Sequence, residues 1–486
     1  MKKYLEKYTV VILVIILLSG FLVRFYRFDN PVADWHSWRQ SDTSAVSRNF
    51  VKHGFDLLHP RMNNISNVQS GLENPQGYFF AEFPIYNATQ AGLFVLFGGL
   101  SIEEWGRIVT MLASVFAGLF LYLIVSRHSN RTIGLLAAFF YLFIPYDIYY
   151  GRTILPDTSM VMATVGAIYF FDKWIEKSIK YKVLSIKYWV WFGLALLFTV
   201  LALLLKPYAL FFVLPMAVLA YNRFGLRLFL RWQLWLFAIL SVIPLIAWRT
   251  WMLQFPAGIP ANAWLFNGNN IRFHPSFFRW IFYERLTKLI SGYLGVIIFL
   301  FGLYRFRKIK DWLFFVSFLV SSLAYVCVIA TGNVQHDYYQ ILIMPSLAIF
   351  FAIGSYYLYQ WNYRKLPMGK AVLIICFFSL FWFGWQQVQP YFDIDNPSIL
   401  AAGKAVQQLT PQDAKVVANY NGDSSLLYQM DRQGWASFEH DMPVLISMGA
   451  DYLVLVNPTA QDMTWSKKYK VIAHTNQYAI FDLRTR

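Results

Sequence analysis

The sequence predicts a polytopic α-helical membrane protein. Three observations carry that expectation. Apolar residues make up 57% of the 486 and charged residues only 14%. Apolar runs long enough to cross a bilayer recur along the chain. Lysines and arginines collect in the short links between those runs, which is the orientation signal of a membrane protein. The net charge of +16 therefore reads as topology rather than as a nucleic-acid surface. The two cysteines, Cys327 and Cys376, lie inside apolar spans, so no disulfide framework is implied.

The spans follow in order. Lys2, Lys3 and Lys7 precede a first span at about Val10 to Phe28. No small-residue cleavage site follows it, so it reads as a retained anchor with a cytoplasmic N-terminus. A polar outer segment, about 29–103, is too polar to cross, and its short apolar pieces fit interfacial helices. Span two is about Glu104 to Val125 and ends inside at Arg127 and Arg131. Span three is about Ile133 to Tyr150, and span four about Thr158 to Trp174. The inside link after it holds Lys173, Lys177, Lys180, Lys182 and Lys187. Span five, about Tyr188 to Leu205, ends outside at Lys206-Pro207, and span six runs on to Tyr221. Arg223, Arg227 and Arg231 mark the next inside link. Span seven is about Trp232 to Thr250, followed by a long outer loop to about Lys288. Spans eight to eleven are about Leu289 to Leu303, Trp312 to Ala330, Tyr339 to Tyr359 and Ala371 to Val388. About eleven spans put every strongly basic link on one side.

Residues 1–388 thus form the transmembrane domain. Residues 389–486 have soluble composition and an extracytoplasmic placement. Ile399 to Leu409 reads as an amphipathic helix, and Lys415 to Ala418, Tyr452 to Val456 and Tyr478 to Leu483 read as strands. A small C-terminal α/β domain is expected. The whole chain is expected in the cell (inner or plasma) membrane.

The unusual polar residues of this topology converge on the outer face. Asp42 stands in DWHSWRQSDTSAVSRNF with Asp34, His36, Arg39, Gln40 and Arg48, and is expected to open a helix whose dipole keeps its carboxylate ionised. One face of Asp42 to Phe50 has the spacing to lie on the membrane surface. Glu82 belongs to the same segment. Arg152 and Asp157 occupy the turn between spans three and four, Lys206 caps span five, and His336, Asp337, Tyr338 and Tyr339 open span ten. Ionisable groups at membrane depth are costly and usually functional. Carboxylates suited to accept a proton, with cations and tyrosines suited to hold an anion, fit a reaction in which a hydroxyl attacks and a phosphate leaves. Each residue also has a structural reading. Asp42 also reads as a helix cap, Glu82 as a solvated loop acid, Lys206 as a snorkelling cation, Arg152 and Asp157 as a pair closing a turn, His336 as a hydrogen-bonded loop histidine, and the tyrosines as part of an aromatic belt. No metal-ligand spacing, Gly-rich phosphate loop or GxSxG is present. No cofactor follows from the sequence, and no ligand motif implies a divalent metal.

Five segments in order, WRQSDTSAVSRNF, AEFPIYN, GRTILPDTSM, LLLKPYAL and QHDYYQILIMPSLA, resemble the protein O-mannosyltransferase-like and aminoarabinose-transferase-like family of polyprenyl-phosphate-sugar glycosyltransferases, within the GT-C superfamily. The resemblance implies a GT-C fold and an inverting glycosyltransferase. It would move a monosaccharide from a polyprenyl-phosphate donor to an acceptor hydroxyl of a glycan, lipid or protein on the extracytoplasmic face. It implies that the essential acid of the first outer loop is Asp42, with Glu82 as second acid. Arg39, Arg152, Asp157, Lys206, His336, Tyr338 and Tyr339 are then the candidates for holding substrate. In the aminoarabinose transferases a lysine stands between that second acid and its proline, where this chain has Phe83. The paired acids and inserted trefoil domain of the eukaryotic mannosyltransferases are missing, since Thr43 follows Asp42. The rival reading is a transporter or flippase of lipid-linked glycans. It is disfavoured by ionisable residues at span ends rather than at the midplane, and by the lack of an internal repeat.

Overall fold

In lipid no water satisfies the backbone, so each apolar run must close its own hydrogen bonds, and the spans are helices. The computed structural model describes residues 8–180 and 185–485, with backbone alone for residues 177–180. Lys2, Lys3, Lys7 and Lys182, expected on the inside, lie outside the described residues, as do the side chains of Lys177 and Lys180. Helices Thr9–Leu22, Ile102–His128, Arg131–Phe143, Pro156–Lys180, Ile186–Leu205, Val213–Phe224, Trp232–Met252, Val296–Arg305, Trp312–Val328, Met344–Gln360 and Met368–Val388 fall on the expected spans in order. Among the described residues, six helices are long and apolar enough to cross a membrane on their own. Most of the others are shorter, and Pro156–Lys180 is long but carries several charged residues.

The chain divides into two compact units. A helical unit comprises Met1–Tyr26, Ile108–Ala247 and Asn262–Pro390, and a mixed unit comprises Arg27–Arg107, Trp248–Ala261 and Tyr391–Arg486.

In the helical unit, Val296–Arg305 packs on Met344–Gln360 through Gly302 and Gly354. A Cβ on Gly302 would strike the Phe350 carbonyl, and one on Gly354 the Ile298 carbonyl. Small residues let the two backbones approach where larger ones would hold them apart. Span three breaks after Phe143, because Pro145 has no N–H to continue the ladder. The fully buried Arg24 reaches this break, donating to Leu142 O at 3.1 Å and Asp147 O at 3.1 Å as well as to Gly20 O at 2.5 Å on its own helix. The long outer loop expected after span seven, and the link between spans nine and ten, carry helical structure. Residues 264–290 form the short helices Trp264–Asn267 and Pro275–Phe278 and then a π-helix, Arg279–Ile290. Ala330–Gln335 is helical and buries Thr331, Gly332 and Asn333. In the first, apolar residues recur at helical spacing, and Phe277, Ile281, Leu289 and Ile290 are buried.

The mixed unit holds a five-stranded sheet: β1 Val416–Ala418, β2 Gly434–Trp435, β3 Tyr452–Val456, β4 Lys470–His474 and β5 Tyr478–Asp482, in the order β2-β1-β3-β5-β4. β1 runs parallel to β2 and β3, and β5 antiparallel to β3 and β4. The three expected strands are β1, β3 and β5. Alternate residues serve two cores, with Val416, Ala418, Val454 and Ile480 on one face and Val417, Leu453 and Phe481 on the other. Pro397–Leu409 and Ser425–Met430 cover the first face and Met442–Ser447 the second. Covered on both sides, the strands read as unbroken apolar runs. The expected amphipathic helix is Pro397–Leu409, capped by Asn396, which accepts from Ser398 N at 3.1 Å.

The outer segment contributes the helices Ser37–His53 and Ile85–Phe97 to this unit. Ile85–Phe97 leaves Val95, Leu96 and Phe97 exposed, as an interfacial helix would. Ser37–His53 instead buries Arg39 to Ser47 on all sides, so no face of it is left to lie on a membrane surface.

Candidate functional site

Asp42 does not open its helix. The helix starts at Ser37, after His36 in the left-handed region at φ 56°, and Asp42 stands in its second turn. The free N–H groups of the first turn therefore do not reach it. It is 2% exposed. Gln69 donates its amide to Oδ2 at 2.9 Å, and Oδ1 is buried with no hydrogen-bond partner among the described residues. Burial pushes the carboxyl up to about 6. The Ser424 hydroxyl, the Arg39 guanidinium and the Gln69 amide pull it back, while Asp423 pushes it further. The expectation of a helix dipole lowering this group is thus reversed, because loss of water outweighs the favourable partners. A carboxylate in this state is still mostly ionised at neutral pH, yet binds a proton far more readily than an exposed aspartate.

Arg39 lies one turn before Asp42. Its Nη2 holds both Glu82 oxygens, at 2.6 and 2.8 Å, and its Nη1 donates to Thr43 Oγ1 at 3.1 Å. The guanidinium also lies over the Phe79 ring, 5.3 Å from its centroid. Glu82 is therefore not a solvated loop acid. It neutralises Arg39, and so weakens the pull of Arg39 on Asp42. Phe83, at the position of the aminoarabinose transferases' lysine, packs edge-on against Trp248 with centroids 4.9 Å apart.

The helical unit gathers the second set. Lys206 Nζ donates to Asp157 Oδ1 at 2.7 Å, and both side chains are buried. The same ammonium lies 5.5 Å from the Tyr338 ring, 5.6 Å from Tyr339 and 5.9 Å from Tyr208, within cation–π range. Lys206 therefore does not snorkel to water. Asp337 accepts from Tyr150 OH at 2.6 Å and lies 3.8 Å from Arg285 Nη1, and its backbone carbonyl takes Tyr146 OH at 2.7 Å. His336 stacks on Tyr338 at 5.6 Å and meets Trp264 edge-on at 5.8 Å. Arg152 is buried, with its guanidinium 5.6 Å from the Tyr149 ring.

The structure thus brings Asp42, Arg39 and Glu82 together in the mixed unit. In the helical unit it joins Lys206 with Asp157, Tyr338 and Tyr339, and His336 with the same tyrosines. Sequence reasoning missed Gln69, Asp423 and Ser424 beside Asp42, and Tyr146, Tyr150 and Arg285 around Asp337. Nothing in the local sequence marks Ser424, which comes from the far end of the chain. Among the described residues no group of three or more His, Cys, Asp or Glu side chains is placed to hold a metal ion.

Comparison with known proteins follows the same lines. Residues 82–249 match the family described as dolichyl-phosphate-mannose-protein mannosyltransferase. No curated protein matches the sequence. Among solved structures, ArnT from Cupriavidus metallidurans superposes in its apo state with a TM-score of 0.63 at 12% identity, over 96% of this chain and 97% of that one. The same protein bound to undecaprenyl phosphate gives 0.63 at 13%, over the same shares. The oligosaccharyltransferase of Archaeoglobus fulgidus, in complex with zinc and sulfate, gives 0.59 at 12%, over 91% of this chain and 67% of that one. The chain has the fold of the GT-C glycosyltransferases, and its expected resemblance to the mannosyltransferase-like and aminoarabinose-transferase-like members of that superfamily is borne out.

Proposed function

We propose that the protein is an integral membrane glycosyltransferase. It transfers a monosaccharide from a polyprenyl-phosphate donor to an acceptor hydroxyl on the extracytoplasmic face, with inversion at the sugar carbon. The acceptor oxygen attacks the anomeric carbon as its proton passes to Asp42. The bond from that carbon to the phosphate oxygen breaks, and the electron pair leaves on the polyprenyl phosphate. Lys206 is the candidate for offsetting the charge that develops there, with Tyr338, Tyr339 and His336 bounding it and Asp157 holding it in place. Arg152 is the second candidate cation. Glu82 acts through Arg39 rather than on the sugar.

One observation carries this reading: Asp42 is a buried carboxylate faced chiefly by neutral groups, the Gln69 amide and the Ser424 hydroxyl, and its proton affinity is raised. The match of residues 82–249 and the likeness to a structure whose ligand is undecaprenyl phosphate support the donor class. The test is transfer by the purified protein in lipid nanodiscs. The donors are radiolabelled hexoses and aminopentoses on undecaprenyl phosphate, and the acceptors are glycans and lipids extracted from the host envelope. At least one donor should yield labelled product, dependent on Asp42. Binding and flipping of these lipids without any transfer would support the transporter reading instead.

A further inference from the structure

The groups that surround Asp42 are held from the C-terminal segment at four places, all within the mixed unit. Ser424 Oγ donates to Trp38 O at 3.3 Å, one turn before Asp42. Tyr428, on the helix Ser425–Met430, donates its hydroxyl proton to Glu103, and its oxygen meets Ser44 Oγ at 2.9 Å. Arg48 lies 3.8 Å from the centroid of the Tyr428 ring. It donates to Tyr428 O at 2.9 Å and to Glu103 at 2.8 Å, and pairs with Asp431 at 3.2 Å. Lys52 closes the row on Asp431 at 2.6 Å. These contacts bracket Asp42 from residue 38 to residue 52 along its own helix.

Gln69, the amide donor to Asp42, is held from the same segment. Ile65 N donates to Gly434 O at 2.9 Å and Gly434 N to Asn63 O at 3.0 Å, so residues 63–65 extend the edge of the sheet at β2. Asn67 N donates to Glu439 at 2.8 Å, and His440 meets Glu73 at 2.7 Å. One fold thus fixes both the carboxylate and its hydrogen-bond donor, and keeps water from it.

We infer that the C-terminal α/β segment is a clamp for the proton-accepting carboxylate, and that Tyr428 and Arg48 are positioning residues for Asp42. They touch neither sugar nor acceptor in this account. They hold the Ser37–His53 helix so that Asp42 stays dry and faces Gln69. The inference rests on the reading of Asp42 as base only for its consequence in catalysis. Its structural content is separable.

The charged groups facing Asp42 are Arg39, with Glu82 behind it, and Asp423 from the loop before Tyr428. Tyr428→Phe leaves all of them in place and removes only the hydroxyl. The experiment follows the protonated-carboxyl infrared band that Asp42→Asn abolishes, titrated in the full-length protein without substrate. In Tyr428→Phe the midpoint should move down by about one pH unit, a tenfold loss of proton affinity, as water reaches the group. Should that variant not fold, Ser44→Ala removes the other end of the same hydrogen bond and should shift the midpoint in the same direction. An unmoved midpoint in a folded variant overturns the clamp. Transfer is measured on the same samples. If Asp42→Asn still transfers sugar while the midpoint moves, the clamp stands and the catalytic reading falls.

Discussion

Buried acids are handled in two ways, shown by Asp157 and Asp337 in the helical unit and by Asp42 in the mixed unit. In the helical unit Asp157 faces an ammonium at 2.7 Å, and Asp337 faces a tyrosine hydroxyl at 2.6 Å and a guanidinium at 3.8 Å. In the mixed unit Asp42 faces a neutral amide, a neutral hydroxyl and an arginine already held by Glu82. A buried carboxylate matched by a cation is a fixture, and separating the pair leaves a charge with nothing to balance it. A buried carboxylate among neutral groups is under-stabilised in its charged form, and that imbalance makes it a proton acceptor. In the proposed mechanism the two acids do different work, Asp42 taking the proton and Asp157 holding Lys206.

The largest expected effect comes from removing the under-stabilised charge. Asp42→Asn keeps the shape and the contact with Gln69, and should lower transfer by about 10²–10⁴-fold while donor binding holds. It should also stabilise the protein. The folded carboxyl titrates near 6 against an ordinary value of 3.8, so stability is lost as pH rises through that window and the cost is complete above it. The asparagine variant should therefore gain on the order of 2–3 kcal/mol at pH 8, and lose that gain by about pH 4. Thermal unfolding at the two pH values checks the sign. Equal stability at both would mean that Asp42 is not strained by burial.

The pair in the helical unit should respond in the opposite sense. Lys206→Ala leaves Asp157 buried and unbalanced, at a cost of about 3–5 kcal/mol. Lys206→Met with Asp157→Leu should recover much of the stability without recovering the binding of fluorescent undecaprenyl phosphate. If the double variant binds that lipid normally, the ammonium is structural and the phosphate contact lies elsewhere.

A smaller effect sharpens the boundary between the two behaviours. Glu82→Gln can keep hydrogen bonds to Arg39 but no longer neutralises it, so transfer should fall about tenfold. The freed guanidinium should draw Asp42 downward, and the acidic limb of the rate profile should shift to lower pH. A loss as severe as that of Asp42→Asn would mean that Glu82 takes part in the chemistry directly.

Much of the helical unit was legible because its signal is local. An apolar run of span length and a basic link are each read in one window, and each expected span carries a helix. Spans interrupted by Pro145 and Pro207 were harder, since a proline break and a loop look alike in sequence. The strands β2, two residues long, and β4, with half-exposed residues, lack a pattern to read. The candidate acids were legible as polar residues out of place. Their states were not. The environment of Asp42 is set by Gln69, Asp423 and Ser424, the last two more than three hundred residues away in sequence. The helix start that was expected to lower its proton affinity lies at Ser37 instead.

The claim on which the rest depends is that Asp42 accepts the proton because burial has raised its affinity for one. The pH dependence of kcat/KM for transfer tests that claim most directly, since it reads the free enzyme's essential base. The acidic limb should fall with unit slope and a midpoint of about 6, so that activity drops about tenfold for each pH unit below it. A rate that stays level down to pH 4.5 would contradict the account, because it would place the essential base in the ordinary carboxylate range or remove it altogether.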